Sequence, residues 1–201
     1  MKVKICGITD LKTAKCAINA GADAIGFVFA ESKRQIEISE AKKIIESLPD
    51  SVLKIGVFVN ETKETLESIY EEVGLTHLQL HGDETPEFCR SLSFPVIKAL
   101  RVQSEKDVEK IAEYDCDYIL VDSPSGKYRG GNGTTFNWDL VKSKKIDNLI
   151  LAGGLTIENV IPASSVVKPI MVDVSSGVET NGKKDEEKIK SFIKKVKLGG
   201  I

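Results

Sequence analysis

Three side chains able to move protons or attack carbon sit where alternating apolar runs stop. Cys6 precedes Gly7 in "VKICGI", His81 precedes Gly82 in "HLQLHG", and Asp122 precedes Ser123 in "YILVDS". In a strand, successive side chains point to opposite faces. Lys4 and Cys6 therefore share one face and Val3 and Ile5 the other; His77, Gln79 and His81 alternate with Leu78 and Leu80; Tyr118, Leu120 and Asp122 oppose Ile119 and Val121. If the aliphatic faces pack outward against helices, Cys6, His81 and Asp122 converge at one mouth. Each has a plainer reading. An unpaired cysteine is most often a small buried hydrophobe, and an aspartate at a strand end often caps the next loop. The i, i+4 spacing of His77 and His81 matches a helical zinc pair, but the segment reads as a strand and no third ligand follows, so no metal site is expected.

A second group of residues suits an anion. "LAGGL" and "VSSGVE" end the last two strands, and the glycines let backbone N–H groups approach a ligand with no Cβ in the way. Gly153, Gly154 and Gly177, with the hydroxyls of Ser175 and Ser176, form a candidate phosphate cradle, and Gly177 is expected to open a short helix. Tight turns are the alternative. The glycines of "GGNGTTFNW" fail the dinucleotide test, because no acidic residue ends a following strand at the expected distance. They are read as a mobile loop over the site.

These groups need a scaffold. Eight short runs rich in β-branched residues recur along the chain: "VKICGI", "AIGFVF", "LKIGVFV", "HLQLHG", "PVIKALRV", "YILVDS", "LILAGGL" and "IMVDVSSG". Between them, "SEAKKIIESL", "TKETLESIYEEV", "SEKDVEKIAEY" and "DEEKIKSFIKKV" carry apolar residues at helical spacing, with Ser39, Thr62 and Ser104 as expected N-caps. Strands alternating with helices imply parallel pairing through right-handed crossovers. Eight units favour an α/β fold, a closed (β/α)8 TIM barrel forming one domain over residues 1–201, with a doubly wound open sheet as competitor. Functional groups of such a barrel collect at the C-terminal ends of its strands, where Cys6, His81 and Asp122 lie.

Composition narrows the function classes. The 201 residues are 41% hydrophobic and 29% charged with a formal net charge of -2, an ordinary globular balance that does not suggest a nucleic-acid surface. No apolar run approaches the roughly 18 residues of a membrane span, and no targeting segment is read, so a cytoplasmic location is expected. Cys6, Cys16, Cys89 and Cys116 form no C-x-x-C pair, and reduced thiols are expected.

Over essentially its whole length the chain resembles the phosphoribosylanthranilate isomerases, (β/α)8 enzymes of tryptophan biosynthesis. The resemblance rests on "KICGIT", "GADAIGFVF", "IGVFVN", "QLHGDE", "GGNGTTFNW", "LAGGL" and "VDVSSGVETNGKKD", in that order. It implies a cofactor-free Amadori rearrangement of N-(5-phosphoribosyl)anthranilate, a small phosphorylated substrate, by a monomer or homodimer. By the same resemblance Cys6 is the general base, Asp122 the general acid and Arg34 the partner of the anthranilate carboxylate. His81 and Asp173 lie near the sugar, and Gly153, Gly154, Ser175, Ser176 and Gly177 hold the phosphate. The chain departs from the family pattern at Ser32-Lys33-Arg34 (Ser-Pro-Arg), Phe136-Asn137-Trp138 (Phe-Asp-Trp) and Thr156 (Pro). Lys4 is the cation expected to help ionise Cys6. Two rivals are the Amadori isomerase barrels of histidine biosynthesis, whose acid and base are both aspartates, and a catalytically silent phosphate-binding barrel.

Overall fold

The computed structural model describes residues 1–122, 139–142 and 146–199, with the side chains of Asp139 and Lys142 excepted. The "GGNGTTFNW" loop and the Phe136-Asn137-Trp138 departure lie outside the described residues. Eight parallel strands close into a barrel in chain order: β1 (Lys2–Cys6), β2 (Ala24–Val28), β3 (Leu53–Phe58), β4 (His77–Leu80), β5 (Val96–Arg101), β6 (Tyr118–Asp122), β7 (Leu149–Leu151) and β8 (Met171–Val174). Because β1 pairs with both β2 and β8, there is no open edge, and the open-sheet alternative is excluded.

The described helices are α1 (Leu11–Asn19), α2 (Ile38–Ile45), α3 (Lys63–Val73), α4 (Pro86–Ser91), α5 (Glu105–Lys110), α6 (Asp139–Lys142), α7 (Val160–Val167) and α8 (Glu186–Gly199). Two of the three expected N-caps hold. The Thr62 hydroxyl accepts from Thr65 N at 3.2 Å, and Ser104 forms a reciprocal box with Asp107. Ser39 does not cap, because α2 already begins at Ile38 and its capping position is Glu37. The start lies two residues ahead of the expected one, and within the helix Ala41, Ile44 and Ile45 are buried.

Strand parity sorts the core into two shells. The outward set, Val3, Ile5, Leu78, Leu80, Ile119 and Val121, joins helix residues such as Leu66, Ile69, Phe192 and Ile193 in one large cluster. The inward set, Ala24, Ile55, Ile97, Leu120, Ile150 and Met171 among it, fills the barrel axis. Each fully buried Leu, Ile or Phe contributes about 1.5–3 kcal/mol of transfer free energy. That makes a one-residue register slip, which would turn every strand inside out, prohibitively unfavourable. Above the inner apolar layers, towards the C-terminal ends of the strands, the axis becomes polar, with Lys4, Gln79 and Asp173 all buried.

Candidate active site

Register positions the polar layer. Lys4 of β1 is level with Asp173 of β8, so the two side chains point inward side by side. Lys4 Nζ donates to Asp173 Oδ2 at 2.8 Å, with the lysine fully buried. Burial alone would lower the lysine's pKa, but the Asp173 carboxylate, with Cys6 beside it, holds it above the ordinary value. One residue pair further up, Cys6 is level with Gly26 of β2. The missing side chain leaves room there for both Cys6 Sγ and Lys4 Nζ, which lie within about 3 Å of the point a Cβ on Gly26 would occupy. The expected neighbourhood of Lys4 and Cys6 is therefore real. Its effect is smaller than that of burial, which together with the Asp173 carboxylate pushes the Cys6 thiol up against the downward pull of Lys4.

On the far side of the mouth, Asp122 ends β6 and faces His81, whose Nε2 is 3.4 Å from Asp122 Oδ2. The buried Gln79 amide nitrogen lies 3.1 Å from His81 Nδ1. With the amide donating, Nδ1 accepts and the ring proton is assigned to Nε2, directed at the carboxylate. The turn after His81 is pinned by a buried ion pair. Lys98 Nζ donates to Glu84 Oε2 at 2.6 Å and to Gly82 O at 2.7 Å, while Glu84 accepts from the N–H of Gly82 and of Asn60. Burial opposes ionisation of Glu84, yet Lys98 and the backbone donor hold its carboxyl below the ordinary range. His77, at the start of β4, is remote from this mouth and pairs with Thr76 Oγ1.

Two loops complete the rim. Gly153 and Gly154, at φ +81° and +62°, turn the chain after β7 through the left-handed region that favours glycine. Asn159 ties the turn, accepting from Thr156 N at 2.7 Å and donating to Gly154 O at 3.0 Å. Thr156 thus uses an N–H that the family's usual proline lacks. Gly177 lies in a three-residue 3-10 turn, Ser176–Val178, where a Cβ would fall on the Leu155 carbonyl oxygen. The short helix expected to open at Gly177 is this single turn, which begins one residue earlier, at Ser176. Ser175 Oγ donates to Cys6 O at 3.1 Å, linking the end of β8 to the end of β1.

A cavity of about 290 Å³ opens here, lined by Cys6, Arg34, His81, Asp122, Asp173, Gly153, Gly154, Ser175 and Ser176. Nine of the ten residues singled out from the sequence therefore meet around one space. Gly177 does not line it and lies behind, packed on Leu155. Arg34 reaches the cavity by folding its stem over Gly7, where a side chain would occupy the same space. Its guanidinium is engaged by Glu179, with Nε to Oε1 at 2.6 Å and Nη2 to Oε2 at 2.9 Å.

Sequence reasoning passed over Glu179 and Lys184. The signal was present in "ETNGKK", an Asn-Gly hairpin pattern. Asn181 and Gly182 take φ of +53° and +77°, and the short strands β9 (Glu179–Thr180) and β10 (Lys183–Lys184) pair so that Lys184 faces Glu179. Among the described residues no helix is long and apolar enough to cross a membrane, and no group of three or more His, Cys, Asp or Glu could hold a metal.

The family model for N-(5'-phosphoribosyl)anthranilate isomerase matches residues 3–195. The chain belongs to the N-(5'-phosphoribosyl)anthranilate isomerase family, enzymes of tryptophan biosynthesis. The curated enzyme of that name from Bacillus cereus (strain G9842) is 59% identical over 200 residues, covering 98% of both chains. The crystal structure of the Thermotoga maritima phosphoribosyl anthranilate isomerase superposes with a TM-score of 0.90 at 45% identity, covering 98% of this chain and 99% of that one. A further phosphoribosyl anthranilate isomerase structure, 42% identical with a TM-score of 0.86 over the same shares, is a complex with reduced 1-(o-carboxyphenylamino)-1-deoxyribulose 5-phosphate.

Proposed function

We propose that this isomerase rearranges N-(5'-phosphoribosyl)anthranilate with Asp122 as general acid and Cys6 as general base. The observation that carries the reading is that the two end different strands yet line one cavity, with the Arg34 cation lining it too. Asp122 donates a proton to the furanose ring oxygen as the C1–O bond breaks, and the anthranilate nitrogen pushes its lone pair into a C1=N iminium. The iminium acidifies the C2 proton, which the Cys6 thiolate removes. The C2–H electron pair forms C1=C2 and neutralises the nitrogen, giving an enolamine that tautomerises to the ketone. No outside electron acceptor is required.

Burial keeps the Cys6 thiol protonated, so it must lose its proton before it can act, and the adjacent Lys4 ammonium is the group that stabilises the thiolate. His81, with Nε2–H directed at Asp122, holds the acid's carboxyl in place. Asp173, whose Oδ1 has no hydrogen-bond partner among the described residues, offers a buried acceptor to a sugar hydroxyl. The substrate phosphate is assigned to the backbone N–H groups of the Gly153-Gly154 and Ser175–Gly177 turns and to the Ser176 hydroxyl. The Ser175 hydroxyl is already committed to Cys6 O and Lys184. The substrate carboxylate is assigned to Arg34, a charge-assisted contact.

Cys6→Ala and Asp122→Asn should each lower kcat by about 10²-fold or more while the fold is retained, the scale expected for losing an acid or base. The decline of anthranilate-derivative fluorescence measures the reaction. Near-normal turnover in either variant refutes its role.

A further inference from the structure

Arg34 has five N–H donors, and Glu179 takes only the side-on pair, Nε and one on Nη2. The end-on pair, on Nη1 and the outer Nη2, is the fork a second carboxylate would meet. Glu179 is itself held by a second cation, at the same Oε1 that Arg34 Nε meets. Lys184 Nζ is 2.7 Å from Glu179 Oε1 and donates to Ser175 O and Oγ at 3.1 Å each. The side chains of Glu179 and Lys184 are only 8% and 6% exposed, so this network is screened little by water. The neighbouring Lys4–Asp173 pair is neutral as a unit. In the cluster of Arg34, Glu179 and Lys184, two cations face one carboxylate.

We propose that Glu179 and Lys184 are the positioning residues of the carboxylate subsite. Glu179 clamps the side of the guanidinium so that its end-on fork is presented to the cavity, and Lys184 leaves the cluster with one positive charge in surplus. The inference rests on the reading that Arg34 receives the substrate carboxylate. It adds that Arg34 by itself is insufficient: paired with Glu179 alone it would be a neutral, tethered group with little attraction for a second anion. The β9–β10 hairpin therefore sets specificity for an ortho-carboxylated arylamine over an uncharged one. Burial lowers the pKa of Lys184 and the Glu179 carboxylate opposes that, while Arg34 and Lys184 together outweigh burial and keep Glu179 ionised.

The test compares two probes, reduced 1-(o-carboxyphenylamino)-1-deoxyribulose 5-phosphate and the same compound without its carboxyl group. The ratio of their Kd values, measured by calorimetry on the intact chain, is the carboxylate selectivity. Arg34→Ala should bring that ratio near one. Glu179→Gln and Lys184→Met should each reduce it by about tenfold and raise KM while kcat stays within about threefold, the pattern of lost uniform binding. Lys184→Arg should restore the ratio. If Glu179→Gln does not fold, Lys184→Met, which leaves the Arg34–Glu179 pair intact, carries the same test. Wild-type selectivity in Glu179→Gln and Lys184→Met, with selectivity lost in Arg34→Ala, overturns this inference alone. Wild-type selectivity in Arg34→Ala overturns the carboxylate reading and this inference with it.

Discussion

Replacing Gly26 by alanine probes how closely the Cys6 sulfur must be placed. A Cβ at Gly26 would lie 2.8 Å from Cys6 Sγ and 3.1 Å from both Cε and Nζ of Lys4. Ordinary contact begins at 3.4 Å, so the sulfur must retreat by about 0.6 Å. Cys6 has one side-chain torsion, and the retreat drives it off its rotamer. Lys4 cannot yield instead without stretching its 2.8 Å bond to Asp173. A misplacement of about 1 Å can reduce a rate about 10²-fold, so a shift of this order predicts a loss of about 10- to 100-fold, or about 1.4–2.7 kcal/mol of barrier. Overpacking adds about 1–3 kcal/mol of destabilisation, a fall in Tm of about 2–12 °C for a domain of this size. Steady-state fluorescence should show the loss in kcat, with KM within about threefold because Arg34 and the phosphate turns lie on other loops. Calorimetry checks that the barrel is intact. A folded Gly26→Ala enzyme with wild-type kcat would refute the claim that the β1–β2 register places the reacting sulfur.

The remaining expectations concern charge and burial. Because burial raises the Cys6 thiol above its ordinary value, alkylation of the Cys6 peptide by iodoacetamide, read by mass spectrometry, should rise about tenfold per pH unit from about pH 7 to 8.5. A plateau below about pH 8 would contradict a neutral buried thiol. Lys98→Met strips the partner from a carboxylate that is buried, and breaking such a pair is expected to destabilise by about 3–5 kcal/mol. A loss below about 1 kcal/mol in urea unfolding would show that the Asn60 and Gly82 N–H groups suffice for Glu84. The carboxyl of Glu84 is held below its ordinary range, so its contribution is fully present above the unfolded value of about 4.3 and disappears as pH falls through the folded one. Wild-type stability should therefore drop more steeply than that of Glu84→Gln below about pH 4.5, and parallel curves would remove Glu84 from the acid response.

Much of this architecture is legible in one dimension because the signals are local. The alternation in "VKICGI" and "YILVDS" reports which side chains face inward, and eight such runs separated by helical patterns imply the closed barrel. Glycine at a strand end reports a turn before any partner is known. Local patterns erred at element ends. The cap of α2 is Glu37, two residues ahead of Ser39, and the short helix expected to open at Gly177 is a single 3-10 turn pressed on Leu155.

What the amino-acid order determined alone is the inventory and the parity: a thiol, an imidazole and a carboxyl at three strand ends, all on the inward side. What only the folded chain decided is which of them are neighbours, because interstrand register depends on how whole strands slide and close. That register set Lys4 against Asp173 and Cys6 against the empty side of Gly26, and the folding of the loops brought the guanidinium of Arg34 against a carboxylate 145 residues away. The same closure buried the thiol, so the help expected from Lys4 is present but outweighed: removing water from a sulfur disfavours its charge more than one shared ammonium favours it.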